Sequence, residues 1–109
     1  MQIQVTVRHA SAHEDLKAYA EKKAERLLKY YDKIQEIRVV LDAVNNGHSC
    51  EMIVDLEHMH DLVATTTADD MHAAIDQTVD RLERQLVEHK ERIRNHKGRG
   101  PNPHQPTRT

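Results

Sequence analysis

One run of this chain leaves little freedom in how it can fold. It starts at Asp70-Met71-His72-Ala73-Ala74-Ile75-Asp76 and continues through Asp80-Arg81-Leu82-Glu83-Arg84-Gln85-Leu86 to His89-Lys90-Glu91-Arg92. Met71, Ile75, Thr78, Val79, Leu82, Leu86 and Ile93 recur at helical spacing and make an apolar seam, with the cations on other faces. The spacing predicts one long helix running to about His96, capped by Asp69 or Asp70, with Thr67 a second candidate, and stopped by Gly98. A helix with a single apolar face needs a surface to cover, and the rest of the chain must supply it.

The preceding residues read as that surface. Ile3, Val5 and Val7 alternate with Gln2, Gln4 and Thr6, the pattern of a half-buried strand over 2–7. Ser11 and Glu14 have capping-box spacing, so a helix is expected from about Ala12, and Leu16, Tyr19, Ala20, Ala24, Leu27, Leu28 and Tyr31 carry it to about Asp32. Ile37, Val39 and Leu41 then alternate with Arg38, Val40 and Asp42, and Asn45-Asn46-Gly47 supplies a turn. Cys50, Met52, Val54 and Leu56 form a third strand. A polar turn near 58–61 leads to a fourth, Leu62–Thr67. The order is strand, helix, three strands, helix. A right-handed crossover sets the first two strands parallel, and the last three form an antiparallel meander. The expected fold is α+β: a two-layer β-α-β-β-β-α domain with a four-stranded sheet and both helices on one face. Residues 1–97 make the domain, and 98–109, with three prolines and two glycines, read as a disordered Pro-rich tail.

Composition narrows the class of protein. A chain of 109 residues is one domain that can bury a core without staples. With no Phe and no Trp, that core must be aliphatic. The single cysteine excludes an internal disulfide and fits a reducing compartment. No apolar run reaches membrane-spanning length, so a cytoplasmic protein with no membrane partner is expected.

The net charge of −2 conceals an asymmetry. Residues 1–80 hold 8 Lys/Arg against 15 Asp/Glu, whereas residues 81–109 hold 8 against 3. On the first helix Lys22, Arg26, Lys29 and Lys33 fall at i, i+4, i+7 and i+11, on one stripe away from the seam. On the second, Arg81, Arg84 and Arg92 form an outward stripe that Lys90 and Arg94 extend. Side by side, two such rows make a groove suited to RNA phosphates. The alternative is a solvated face laced with local pairs, Glu25 with Lys29, Asp80 with Arg84 and Glu88 with Arg92, each contributing about 0.2–0.5 kcal/mol. Residue pattern alone leaves both open.

Other chemistry finds less support. Nine histidines invite a metal, but only His58-Met59-His60 places two imidazoles together, and zinc needs three or four ligands. His9 and His13 read as solvated. Cys50 faces the predicted core and has no context that activates a thiolate. Gly47, Gly98 and Gly100 form no phosphate loop, and the carboxylates lie on exposed faces. The expectation is a binding protein and not an enzyme, with no metal, no cofactor and no small-molecule substrate.

Taken together, these residues resemble the ribosome hibernation-promoting factor and ribosome-associated inhibitor family. Leu16, Tyr19, Lys22-Lys23, Leu27, Lys29-Tyr30-Tyr31-Asp32 and Lys33-Ile34 look like its first helix and exit. Val39-Val40-Leu41 looks like its second strand, and Asp70 through Arg92 like its most recognisable helix. The resemblance covers residues 1 to about 96. It implies a stationary-phase stress protein, monomeric when free, that binds the small ribosomal subunit between head and body. There it would block the mRNA path and the A- and P-site tRNA positions. Its contacts to ribosomal RNA would come from Lys22, Lys23, Arg26, Lys29 and Lys33 on the first helix and Arg81, Arg84, Lys90 and Arg92 on the second. His72 stands where the family usually has Tyr, and Tyr31 where Phe is common. The twelve-residue tail, in place of a second dimerisation domain, makes the chain look like a short form. Two alternatives come from other classes. A double-stranded RNA module shares the three-stranded meander with two helices, but lacks the extra first strand and carries its own loop signatures. A regulator of a protein such as a sigma factor needs an exposed apolar patch that the sequence does not show.

Overall fold

The structure is a computed structural model. It describes residues 2–9, 13–57 and 60–99, with side chains as far as Arg92. Its elements are strand β1 (Gln2–Arg8), helix α1 (His13–Glu25) with a 3-10 turn (Arg26–Lys29), strands β2 (Ile34–Val44), β3 (Gly47–Leu56) and β4 (Leu62–Ala68), and helix α2 (Met71–Arg99). The sheet order is β1-β2-β3-β4. β1 pairs parallel with β2, and the other pairings are antiparallel. The domain is the expected β-α-β-β-β-α α+β fold.

Alternation in the sequence becomes three rows of side chains under the helices. Ile3, Ile37, Val54 and Leu62 stand in register across the four strands, as do Val5, Val39, Met52 and Ala64, and Val7, Leu41, Cys50 and Thr66. Against these rows α1 buries Leu16, Ala20 and Ala24, and α2 buries Met71, Ala74, Ile75, Val79, Leu82 and Leu86. The buried Thr78 hydroxyl lies 2.7 Å from the Ala74 carbonyl and 3.3 Å from that of Cys50, and donates to them. Burial pushes the Cys50 thiol up to about 11, so it is an inert part of the core, as its position in the alternation implies. Burying one such aliphatic side chain contributes about 1.5–3 kcal/mol, and that apolar seam is what holds α2 to the sheet. The opposite sheet face carries Glu36, Asp42, Glu51 and Asp55 against Arg8 and Arg38.

Three local features depart from the sequence reading. The first α-helix ends at Glu25 and not near Asp32; the 3-10 turn that follows is closed by the Tyr30 N–H donating to the Leu27 carbonyl at 3.1 Å. A tighter turn redirects the chain into β2 while keeping Leu27 buried. β2 begins three residues earlier than Ile37 because a bulge at Gln35 turns Ile34 back toward the core. The β2–β3 hairpin turns at Asn45-Asn46 as expected, and Gly47 follows at φ +143°, where an added Cβ would meet the Ala68 carbonyl oxygen at 2.5 Å. Finally, α2 passes Gly98 and runs to Arg99. A glycine weakens a helix without obstructing it.

The start of α2 is settled by a cap. Asp70 Oδ1 accepts from the Ala73 N–H at 3.0 Å, while Thr67 lies inside β4. The expected Ser11 cap, His58, Met59, the Ile93 side chain and the tail from Gly100 fall outside the described residues.

Candidate nucleic-acid interface

The two helices meet along a polar seam above the core, and it holds two of the expected RNA-binding residues. Tyr19 donates its hydroxyl to Asp76 Oδ1 at 2.6 Å, and Lys23 Nζ lies 3.4 Å from the same oxygen and 5.7 Å from the centre of the Tyr19 ring. Further along, Arg26 Nη2 is 2.9 Å from Glu83 Oε2, although its N–H does not point along the contact and that oxygen gains no hydrogen bond. His72 meets Tyr19 edge to face, with ring centroids 4.5 Å apart, so the position where the family usually has Tyr keeps an aromatic contact. The bond to Asp76, burial and the charges of Asp76 and Asp70 all favour the neutral phenol and push Tyr19 up to about 12. The groove expected between two basic rows is therefore filled by paired side chains. Lys23 and Arg26 face carboxylates of α2, and no facing row of cations meets them.

The remaining cations divide by place. Arg81 reaches away from α1, its Nη1 donating to the Thr65 carbonyl at 3.3 Å, and Gln85 Nε2 donates to that of Val63 at 3.4 Å. Both close the outer edge of β4. Arg81, Arg84, Gln85 and Glu88 line a shallow depression on that flank. Lys22 is exposed on α1 and lines a second depression with Glu21, Glu25, Leu28 and Ile3, a surface of mixed charge.

A different group gathers at one end of the domain. Tyr31, in the turn after α1, meets His89 of α2 edge to face, with centroids 5.1 Å apart and planes at 87°. This contact joins two basic stretches distant in sequence: Lys29 and Lys33 flank Tyr31, and Lys90 and Arg92 follow His89. All four cations are exposed, and among the described residues none has a carboxylate within 4 Å. Lys29 ends the 3-10 turn and also lines the depression on α1 with Lys22, Lys23, Glu25 and Arg26, so the turn leaves it on the flank where the stripe places it, two residues before Tyr31. The local pairs expected from spacing, Glu25 with Lys29, Asp80 with Arg84 and Glu88 with Arg92, do not form among the described residues.

Sequence reading missed His89 as a core residue. It is 3% exposed, three residues after Leu86 and seven after Leu82, so the seam's own period pointed to it. It also missed the acidic partners Asp76 and Glu83, which local spacing does not mark. No cluster of three or more metal-ligating side chains occurs among the described residues.

This arrangement has relatives. The profile of the family described as Sigma 54 modulation protein / S30EA ribosomal protein matches residues 3–94. The chain belongs to this family. It is 30% identical over 96 residues to the ribosome hibernation promoting factor of Escherichia coli K12, covering 88% of this chain and all of that protein. The factor of the same name from Azotobacter vinelandii is 30% identical over 102 residues, covering 93% of this chain and 94% of that protein. Among solved structures, the N-terminal domain of Thermus thermophilus Protein Y superposes with a TM-score of 0.72 at 32% identity, covering 82% of this chain and 99% of that one. A ribosomal subunit interface protein from Coxiella burnetii gives 0.75 at 26% identity, covering 84% and 99%.

Proposed function

We propose that this chain is a ribosome hibernation factor that binds the small ribosomal subunit in the channel between head and body. There it occupies the mRNA path and the A- and P-site tRNA positions and holds the ribosome idle. The observation that carries this reading is the group of four unpaired cations at the Tyr31–His89 end. Among the described residues Lys29, Lys33, Lys90 and Arg92 have no carboxylate within 4 Å, which leaves them available to phosphate oxygens. Lys22 adds charge from α1, Arg81 and Arg84 from the β4 flank, and Lys23 and Arg26 from the seam while paired. The acidic sheet face is repelled by phosphate, so the helical layer turns toward RNA. Support also comes from relatives named for ribosome hibernation that this chain matches over their whole length.

Occlusion of this kind requires no catalysis, metal or small-molecule substrate. The protein works in the cytoplasm and is a monomer when free. Among the described residues no helix is long and apolar enough to cross a membrane. The test is co-sedimentation of the purified chain with isolated small subunits, with and without bound tRNA and mRNA, at low and moderate salt. Binding that tRNA and mRNA compete away, and that weakens steeply with salt, is the expected result. No binding at low salt by the folded protein would sink this reading and leave duplex RNA as the next ligand to try.

A further inference from the structure

The buried seam of α2 ends on an imidazole where an aliphatic side chain would pack as well. His89 is 3% exposed, its Nε2 has no hydrogen-bond partner among the described residues, and its ring stands edge-on to Tyr31. Leaving a ring nitrogen dry carries a desolvation penalty that leucine would avoid. The contact also lies where Lys29 and Lys33 are joined to Lys90 and Arg92.

We propose that Tyr31 and His89 are positioning residues of the RNA-binding end: an uncharged His89 clamps α2 against the turn after α1 and sets the spacing at which Lys29, Lys33, Lys90 and Arg92 meet phosphates. This inference rests on the ribosome reading above. The clamp depends on the imidazole staying neutral. Burial above all, then Arg92 on its own helix and His60 before β4, holds it below the ordinary histidine value of 6.5. Tyr31 is the ring it packs on, and among the described residues no ion pair joins its imidazole to a carboxylate. Because the unfolded chain takes up the proton more readily, the contribution of His89 to the native state is complete above about pH 6.5. It falls as pH drops through that value toward the lower folded one.

The experiment uses the full chain as wild type, Tyr31→Phe, Tyr31→Ala and His89→Leu. Affinity for isolated small subunits is measured at about pH 7.5 and about pH 6, across a salt series, with amide exchange of the free proteins alongside. Tyr31→Phe should match the wild type. Tyr31→Ala should bind about tenfold more weakly with a shallower salt slope, because about one phosphate contact is lost. Its amides should exchange faster over 85–92 than over 71–82. His89→Leu should bind normally at the higher pH and lose part of the weakening that wild type shows on acidification. A Tyr31→Ala variant with wild-type affinity and slope, or a His89→Leu variant with the full wild-type pH response, would overturn the proposal. Should Tyr31→Ala fail to fold, the His89→Leu pH response decides alone. If wild type binds and the variants match it, only the positioning role falls; if wild type does not bind at either pH, the ribosome reading itself has failed.

Discussion

Between the two helices the cations that reach across each find a carboxylate. At the end of the domain where Tyr31 meets His89, none of four does among the described residues. Lys23 and Arg26 precede Lys29 by only six and three residues, and the residue types are the same, yet the surroundings differ. At the seam, Asp76 serves both Tyr19 and Lys23, and Glu83 stands opposite Arg26. At the basic end a phenol meets an imidazole, and although Asp32, Glu88 and Glu91 stand beside the cations in the chain, no ion pair joins them among the described residues. The seam's charge is balanced inside the protein. The end's charge is left over for something outside it, so charge counts along a helix say less than the place of each charge.

That contrast can be broken most directly at the basic end. Reversing Lys29, Lys90 and Arg92 to Glu should leave the fold intact and weaken binding to small subunits by about a thousandfold near 0.1 M salt, from roughly tenfold per lost phosphate contact. Sedimentation across a salt series checks it, and a loss of less than tenfold would move the interface elsewhere. The seam should behave in the opposite way. Asp76→Ala removes the acceptor of both Tyr19 and Lys23 and should cost about 1–3 kcal/mol of stability, since a bond to a charged partner is lost. Thermal melting should show a fall of about 4–8 °C per kcal/mol in a domain of this size. Ribosome affinity of the folded fraction should change little; a large drop there would make the seam part of the binding surface.

Arg81 lies between these extremes. Arg81→Leu should alter stability by no more than about 0.5 kcal/mol, because its bond to Thr65 is long and exposed. It should also weaken binding less than any single substitution at the basic end. The smallest signal is in alkali. With its folded value pushed up to about 12, Tyr19 contributes stability that is complete below about pH 10 and is lost as pH rises toward 12. An ultraviolet titration should show Tyr19 ionising late, and Asp76→Asn should bring it back toward the ordinary phenol value of 10.0.

What could be read from the residues alone was what short-range periodicity encodes. The two-residue alternation of β1, β2 and β3 is the inward rows of the sheet, and the spacing of Met71, Ile75, Val79, Leu82 and Leu86 is the buried side of α2. Asp70 followed by a helical seam is a cap, because the carboxylate and the amide that it accepts lie three residues apart. Eight of the nine expected RNA-binding residues were named from one-dimensional spacing and Lys23 from the family resemblance; spacing places charges on a helix face but says nothing of what the neighbouring helix brings to it.

Tertiary structure decided the rest, for a physical reason that recurs in each case. Tyr19 and Asp76 are 57 positions apart, so no local pattern could show that Lys23 has a partner. The bulge at Gln35 depends on the register with β3, and the end of α1 depends on where the chain must enter β2. His89 looks polar in sequence; it is buried in the structure, where Tyr31 from the turn after α1 packs edge-on against it. Periodicity acts between residues a few positions apart and is written into the chain. The pairing of charges depends on the field made by residues that only folding brings near.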